Sequence, residues 1–350
     1  MKMILGSAGL FVGALALTLC FFGYQFLGQG ISEDKTEIVF DVLPGQSMAT
    51  VALNLESQRL IKNAWLFTKY SRFTGAHSKL KRGEYSLNKT MTPDQVLTVI
   101  VSGKSILRNL TIPEGKNIFD IAEIFEKGGY GTKADFFKLV TDQDFIFSQL
   151  GEKLESLEGY LFPDTYKVTK FDSQKEIVQQ MVAHFLTVYK ELEPQAQKLN
   201  WPRNKLITFA SIVEKETGHA GDRKLVSSVF HNRLKVNMRL QTDPTVLYGK
   251  AVLAGAMPTN ITRADLQTPS RYNSYTNYGL PPTPISNPGR EAILAAIVPE
   301  ESKYLYFVSR NDGTTAFSET LSQHNAAVQK FQLDVKSREG KSCRDFNPGK

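Results

Sequence analysis

Two glutamates, Glu214 and Glu216, stand near the end of a stretch whose apolar spacing predicts a helix, Lys205–Thr217. Gly218 follows directly, and glycine is common where a helix stops. Both carboxyls are therefore expected in the last helical turn, where the partial negative charge of the helix end raises a carboxyl pKa. A glutamate that stays protonated near neutral pH is what general-acid cleavage of a glycosidic bond requires. The predicted position of these two residues is therefore compatible with acid/base chemistry.

The helical wheel does not separate the two glutamates, because both lie on the flanks of the apolar stripe. The alternative is that they are ordinary surface charges near a helix end. Metal chemistry is not indicated, since the five histidines show no HxxxH spacing and there is no CxxC pair. Cys20 and Cys343 lie in an apolar run and in a polar tail, which makes a disulfide between them unexpected. We expect neither a metal nor another cofactor.

Three polar blocks downstream combine amides, a carboxylate and tyrosines, which suit the hydroxyl edges and apolar faces of sugars. The candidate substrate-binding residues are Gln241, Asp243, Tyr272, Asn273, Tyr275 and Asn287. Each block has a structural alternative. Asp243 could cap a helix that begins at Pro244, the tyrosine block could be a loop held by buried rings, and Asn287 could cap the helix after Pro288-Gly289.

The N-terminus predicts a membrane anchor. No charged residue occurs from Met3 to Ser32, and the apolar run at 4–28 is long enough to cross a bilayer. Lys2 precedes it and Glu33-Asp34 follow it, so the positive-inside rule puts the N-terminus in the cytoplasm. We expect an uncleaved single-pass anchor in the inner (plasma) membrane, with the remaining chain on the periplasmic side.

The charge balance agrees with an extracytoplasmic partner that is anionic. The net charge is +7 and the isoelectric point is about 9.1. Phospholipid head groups or a carboxylate-bearing polymer would suit this excess. Nucleic acid is not an expected partner, because the sequence shows no basic stripe.

The elements that must position these residues predict an α+β fold. A strand at 38–42, helices from Ser47 and at 64–73, a strand near 81–87 and a helix opening at Thr92 or Pro93 form a small module. A long helix is expected from Ser173 to about Leu199, interrupted at Pro194. The predicted organisation is a cytoplasmic tip and anchor at 1–31, a module at 38–104, a connecting α+β segment at 105–157, a catalytic domain at 158–336 and a polar tail at 337–350.

Residues 158–333 resemble the catalytic part of the endolytic murein transglycosylases, the MltG or YceG-like family. Seven blocks carry the resemblance in the same order: EGYLFPDTY (158–166), ASIVEKET (210–217), VFHNRL (229–234), MRLQTDPTVLYG (238–249), YNSYTNYGLPPTPISNPG (272–289), YLYFV (304–308) and FSETLSQHN (317–325). The anchor and a LysM-like module, which the family is expected to have, fit residues 4–28 and 38–103.

The resemblance implies a mainly α-helical, lysozyme-like catalytic domain with Glu216 as its single acid/base. Glu214 is kept as the reserve, because Glu216-Thr217-Gly218 is similar to the Glu-Ser-Gly of other lytic transglycosylases. The implied reaction cleaves the bond between N-acetylmuramic acid and N-acetylglucosamine endolytically and leaves 1,6-anhydro ends. The implied partners are peptidoglycan glycan strands, the inner membrane and peptidoglycan synthases (penicillin-binding proteins).

A different class of protein fits the N-terminal half equally well. A non-catalytic, membrane-anchored scaffold that binds peptidoglycan would also carry an anchor and a LysM-like module. The feature that separates the two hypotheses is the glutamate helix, which a pure binder has no reason to keep.

Overall fold

The computed structural model describes residues 25–334. Most of the apolar run at 4–28 and the polar tail at 337–350 lie outside this range, so the anchor and the tail stay predictions. Within residues 25–334, no helix is both long and apolar enough to cross a bilayer. The described chain forms two compact units. The first runs to Asn109 and includes Lys167–Asp172, and the second contains Leu110–Tyr166 and the chain from Ser173 onward.

The first unit is built on a strand–helix–helix–strand sequence. Its elements are β1 (Ile38–Val42), α1 (Met48–Ser57), α2 (Ala64–Phe73), β2 (Gly83–Leu87) and α3 (Pro93–Ser102). β1 and β2 pair antiparallel, with Phe40 opposite Tyr85. Both of these rings are buried, together with Phe67 of α2, in one apolar core. The predicted strand at 38–42 and the predicted helix at 64–73 are therefore confirmed.

Local capping explains where these helices begin and end. The Ser47 side chain accepts a hydrogen bond from the Thr50 amide at the start of α1. Thr92 and Gln95 form a reciprocal capping box ahead of Pro93, so the predicted start of α3 is confirmed. α3 ends at Gly103, which adopts the left-handed conformation that favours glycine.

The second unit is mainly helical. Two short strands, β3 (Arg108–Thr111) and β4 (Thr165–Val168), pair with each other, and each contains a boundary between the two units. The other elements of the second unit are α4 (Ile118–Lys127), α5 (Lys133–Val140), α6 (Gln143–Leu150), α7 (Gln174–Ala196), α8 (Arg203–Glu216), α9 (Arg223–Lys235), α10 (Asp243–Ala254), α11 (Arg263–Gln267), α12 (Arg290–Ile297), β5 (Tyr306–Ser309), β6 (Thr315–Ser318) and α13 (Leu321–Val328). β5 and β6 form an antiparallel hairpin.

Helix α8 lies at the centre of the second unit. It packs against α9, α10 and α12, and the eight consecutive residues Leu206–Val213 are all buried. A helix that is surrounded on every side needs apolar or self-satisfied side chains all around it. Ser211 meets this need because its hydroxyl donates to the Thr208 carbonyl. α8 therefore has a rigid setting for the residues at its C-terminal end.

The predicted interruption of the long helix at Pro194 is wrong. Helix α7 continues through Pro194 to Ala196. Proline removes one backbone donor, but this proline lies in the last helical turn. Leu192 and Ala196 on either side of it are buried against the unit, and this packing keeps the final turn helical.

Candidate active site

Glu216 is the last residue of α8, and its side chain is half-buried. The chain leaves the helix through Thr217, which is extended. The predicted helix stop before Gly218 is confirmed, although Gly218 is not among the residues with a positive φ. The threonine hydroxyl still satisfies one helix-end carbonyl, because Thr217 Oγ1 donates to the Val213 carbonyl at 2.6 Å. Glu216 is thus held at a helix end without help from a glycine turn.

The Glu216 carboxyl accepts a hydrogen bond from the hydroxyl of Thr242. Burial raises the pKa of Glu216, and the negative charge of Asp243 raises it further. The Thr242 hydrogen bond and the positive charge of Arg233 act in the opposite direction. Because burial is the largest of these effects, the group keeps its proton to a higher pH than an exposed glutamate.

Thr242 is held in place by the loop that contains Ser274. The Thr242 amide donates to Ser274 Oγ at 2.9 Å, and the Gln241 amide donates to the Ser274 carbonyl at 3.2 Å. Gln241 adopts a left-handed φ of 49°, a conformation that costs free energy for a residue other than glycine and often occurs at functional sites. Two segments distant in sequence therefore fix the donor to Glu216.

Tyr275 and Asp243 form a second polar pair beside this contact. The Tyr275 hydroxyl donates to Asp243 Oδ1 at 2.6 Å. Burial and this hydrogen bond raise the pKa of Tyr275 well above its usual value, so the hydroxyl stays protonated and donates. Asp243 is the first residue of α10, and no side chain caps that helix. The alternative that Asp243 is a helix cap is therefore wrong.

Glu216 faces a cavity of about 410 Å³. The residues that line it are Glu216, Arg233, Gln241, Asp243, Pro244, Tyr275, Tyr306, Phe307, Leu321 and His324. A second cavity of about 400 Å³ is lined by Glu216, Phe307 and the tip of the β5–β6 hairpin. Glu216 therefore lines both cavities.

Several residues of this cavity were not predicted as site residues. Arg233 is buried and donates from Nε to the Leu305 carbonyl at 2.7 Å. His324 stacks on the Tyr306 ring at 5.2 Å between centroids, and its Nδ1 is buried without a hydrogen-bond partner. Burial lowers the pKa of His324 and the Arg233 charge adds to this, so a neutral imidazole is favoured. Arg233 and His324 are distant from Glu216 in the sequence, and only the folded chain brings them to the same cavity.

Of the predicted substrate-binding residues, Gln241, Asp243 and Tyr275 are brought to the cavity with Glu216. Tyr272, Asn273 and Asn287 are buried elsewhere. The Tyr272 hydroxyl pairs with Thr283 Oγ1 at 2.9 Å, and the Asn273 amide donates to three backbone carbonyls. For these residues, sugar binding stays a prediction, and their burial argues for a structural role.

Asn287 illustrates that structural role. Its side-chain oxygen accepts from the Gly159 and Leu161 amides, each at 2.9 Å. Its amide donates to the Lys116 carbonyl at 2.9 Å and to Glu158 Oε1 at 3.1 Å. Every hydrogen-bonding position of the amide is thus used inside the fold.

Glu214 differs from Glu216 in its surroundings. It lines neither of the two cavities, and its Oε2 accepts from the Gly289 amide at 3.1 Å. Burial raises the pKa of Glu214 and the nearby Glu114 charge adds to this effect. The structure therefore separates two carboxyls that the helical wheel left equivalent. Within residues 25–334, no cluster of three or more histidine, cysteine, aspartate or glutamate side chains is arranged to hold a metal ion.

Comparisons with known proteins agree on one family. The YceG-like family matches residues 40–330. The endolytic murein transglycosylase of Bacillus subtilis (strain 168) is 33% identical over 327 residues, which cover 89% of each chain. The protein of the same name from Streptococcus pneumoniae (D39) is 30% identical over 88% of this chain, which spans 61% of that longer relative. A crystal structure of a yceG-like protein from Listeria monocytogenes superposes with a TM-score of 0.57 and 35% identity over 83% of this chain and 99% of that one.

Proposed function

The chain belongs to the YceG-like family, and on that premise we propose that it is a peptidoglycan lytic transglycosylase with Glu216 as its acid/base. The relatives named endolytic murein transglycosylase support the substrate and the type of reaction. The observation that carries the residue assignment is the position of Glu216. Glu216 is half-buried, its carboxyl accepts a hydrogen bond from Thr242, and the residue lines two cavities.

The proposed reaction uses one carboxyl twice. Protonated Glu216 donates its proton to the oxygen that bridges N-acetylmuramic acid and N-acetylglucosamine, and the bond from C1 to that oxygen breaks. The C6 hydroxyl of the same muramic acid residue attacks C1 and returns its proton to the glutamate. One C–O bond breaks and one forms, no water is consumed, and the product end is a 1,6-anhydro sugar. Burial supports the first step because it keeps Glu216 protonated.

The two cavities suit a ligand that extends on both sides of the cleaved bond. The Asp243–Tyr275 pair lies in the first cavity and offers a carboxylate oxygen and a ring to one sugar. The second cavity is lined by backbone and hydroxyl groups of the hairpin, including Thr314 and Thr315. Cavities on both sides of Glu216 accommodate the sugar on each side of the cleaved bond, and the endolytic mode is supported by the names of the relatives.

Asp243 is the second carboxylate that lines the first cavity, and it needs a role in the proposal. Ordinary glycosidases place a second carboxylate as nucleophile or as base for water. Asp243 instead accepts the Tyr275 hydroxyl at 2.6 Å, which supports a role in binding sugar. We therefore assign the nucleophile to the substrate.

We further propose that the chain is a single-pass inner-membrane protein with its catalytic unit in the periplasm, where peptidoglycan synthases would be neighbours. The first unit would bind glycan as a LysM-like module. A cleft in it, lined by Gln46, Ser47, His77 and Ser78 among others, offers amide, hydroxyl and imidazole groups of the kind that bind N-acetylglucosamine.

Mass spectrometry of the products from purified glycan strands tests the proposal. The expected fragments end in 1,6-anhydro-muramic acid and are lighter by one water than hydrolytic products. An Asp243→Asn variant should release the same kind of end more slowly. Dominant reducing ends, lost in Asp243→Asn, would instead show a two-carboxylate hydrolase. Binding of strands without any cleavage would favour the non-catalytic scaffold.

A further inference from the structure

Helix α2 of the first unit presents large apolar side chains to solvent. Trp65 is 66% exposed and Phe73 is 90% exposed. Leu66 beside them is also exposed. Scattered apolar residues are normal on protein surfaces, but neighbouring large ones on a single element indicate a binding surface.

These residues share their face with cations. Trp65, Lys69 and Phe73 follow each other at four-residue spacing, which puts them in one row along a helix. Lys62 and Arg72 are also exposed beside this row. Lys69 Nζ lies 5.5 Å from the centroid of the Trp65 ring. The helix Ala64–Phe73 contains no acidic residue, so the face is both aromatic and basic; we call it the α2 face.

The fold does not need the exposed side chains of the α2 face. The opposite side of the helix supplies the buried residues Ala64, Phe67 and Ser71. Asn63 caps the helix by accepting the Leu66 amide at 2.9 Å. The buried side and the cap account for the position of the helix, so the exposed rings are not needed to hold it in place.

The described chain begins close to the same part of the unit. The Tyr70 hydroxyl of α2 donates to Asp94 at 2.6 Å. A few residues earlier in that segment, the Lys89 carbonyl accepts from the Ile31 amide at 2.8 Å. Lys89 also forms an ion pair with Asp34 at 3.2 Å. The short segment 89–94 thus joins α2 to residues 31–34, at the end of the proposed anchor.

We infer that the α2 face docks on an anionic lipid surface. Tryptophan favours the boundary between head groups and acyl chains, and lysine and arginine beside it attract anionic head groups. Phe73 and Leu66 would add apolar contact at the same depth. The anchor would hold the unit near the bilayer, and the α2 face would then fix the side that the unit turns toward it.

A sugar platform is the rival use of an exposed tryptophan. Sugar sites combine a flat ring with amides, carboxylates or hydroxyls that hydrogen-bond the sugar edge. The groups next to Trp65 on the α2 face are ammonium and guanidinium groups and further apolar side chains. This combination fits phosphate head groups and acyl chains better than N-acetylated sugars.

Fluorescence of the full chain in lipid nanodiscs tests the inference. The chain has two tryptophans, so a Trp201→Phe background leaves Trp65 as the reporter. In discs that contain phosphatidylglycerol, we expect lipids brominated near the head group to quench Trp65. A Lys62→Glu/Lys69→Glu variant should lower the ratio of docked to undocked unit at least about tenfold, because two cations near an anionic surface are replaced by anions.

The matched control is Lys81→Glu/Lys104→Glu, which makes the same charge change at exposed lysines of the same unit outside helix α2 and should leave quenching unchanged. Absence of quenching in anionic discs would overturn the inference. So would a large loss of glycan-strand affinity in Trp65→Ala, since Trp65 does not line the proposed glycan cleft of this unit and that result would identify a sugar platform. The products released from glycan strands report separately on the proposed function.

Discussion

The hydrogen bond from Thr242 to Glu216 sets the pH range of the proposed reaction. It stabilises the ionised carboxylate and therefore lowers the pKa of Glu216 against the larger effect of burial. Thr242→Val removes the hydroxyl and keeps the shape of a buried side chain. A hydrogen bond to a charged group contributes about 1.5–3 kcal/mol, and one pKa unit corresponds to about 1.4 kcal/mol.

The pKa of Glu216 should therefore rise by about one to two units in Thr242→Val. Because the reaction begins with protonated Glu216, the rate falls as pH rises through this pKa. The alkaline limb of kcat/KM should consequently move to higher pH by the same amount. The assay is release of soluble muropeptides from glycan strands across a pH series.

Thr208→Val is the matched control. Thr208 is also buried, and its hydroxyl donates to the Asn204 carbonyl within α8, away from Glu216. This variant should keep the alkaline limb of the parent. An unmoved limb in Thr242→Val, or one that moves to lower pH, would refute the assignment of that limb to Glu216.

Three further predictions concern groups around the site. Burial raises the pKa of Glu158 to about 8. The contribution of this group to the free energy of unfolding is therefore complete at low pH, and it is lost by about 1.4 kcal/mol per pH unit as the pH rises from the pKa of Glu158 in the unfolded chain toward 8. In urea titrations at several pH values, Glu158→Gln should lack this decline. Asn287→Ala should lower the free energy of unfolding by about 3 kcal/mol or more, since it leaves buried amides without acceptors, while KM measured below the melting temperature stays unchanged; a higher KM with full stability would favour sugar contact. Tyr275→Phe removes the bond to Asp243 and should lower kcat/KM about tenfold with little change in stability; unaltered kinetics would remove this pair from the site.

The local elements could be predicted because their signals are contained in a few neighbouring residues. The predicted strand 38–42 and helix 64–73 coincide with β1 and α2. Thr92, Pro93 and Gln95 together specify a helix start through their own side chains and backbone. A glycine after a helix predicts where the helix ends but not the backbone conformation there, since Gly218 does not adopt the left-handed φ that glycine permits.

The site could be predicted only in part, because its contacts join residues that are far apart in sequence. Thr242 meets Glu216 across 26 positions, and His324 joins the same cavity from the C-terminal helix α13. Residue type also cannot tell a cavity side chain from a buried one. Asn273 and Tyr275 are two positions apart in a block with sugar-binding composition, yet the first bonds to backbone carbonyls and the second lines the cavity.

The most direct test of the central claim compares Glu216→Gln with Glu214→Gln in the release of anhydro-muropeptides from purified glycan strands, with unfolding curves to show that both variants fold. Glutamine keeps the size of the side chain but cannot cycle a proton. The account predicts that Glu216→Gln loses at least ~100-fold in turnover, while Glu214→Gln, which loses an acceptor for the Gly289 amide, stays within about tenfold of the parent. An inactive Glu214→Gln beside a fully active Glu216→Gln would contradict the assignment of the acid/base, and activity in both variants would contradict the proposed mechanism.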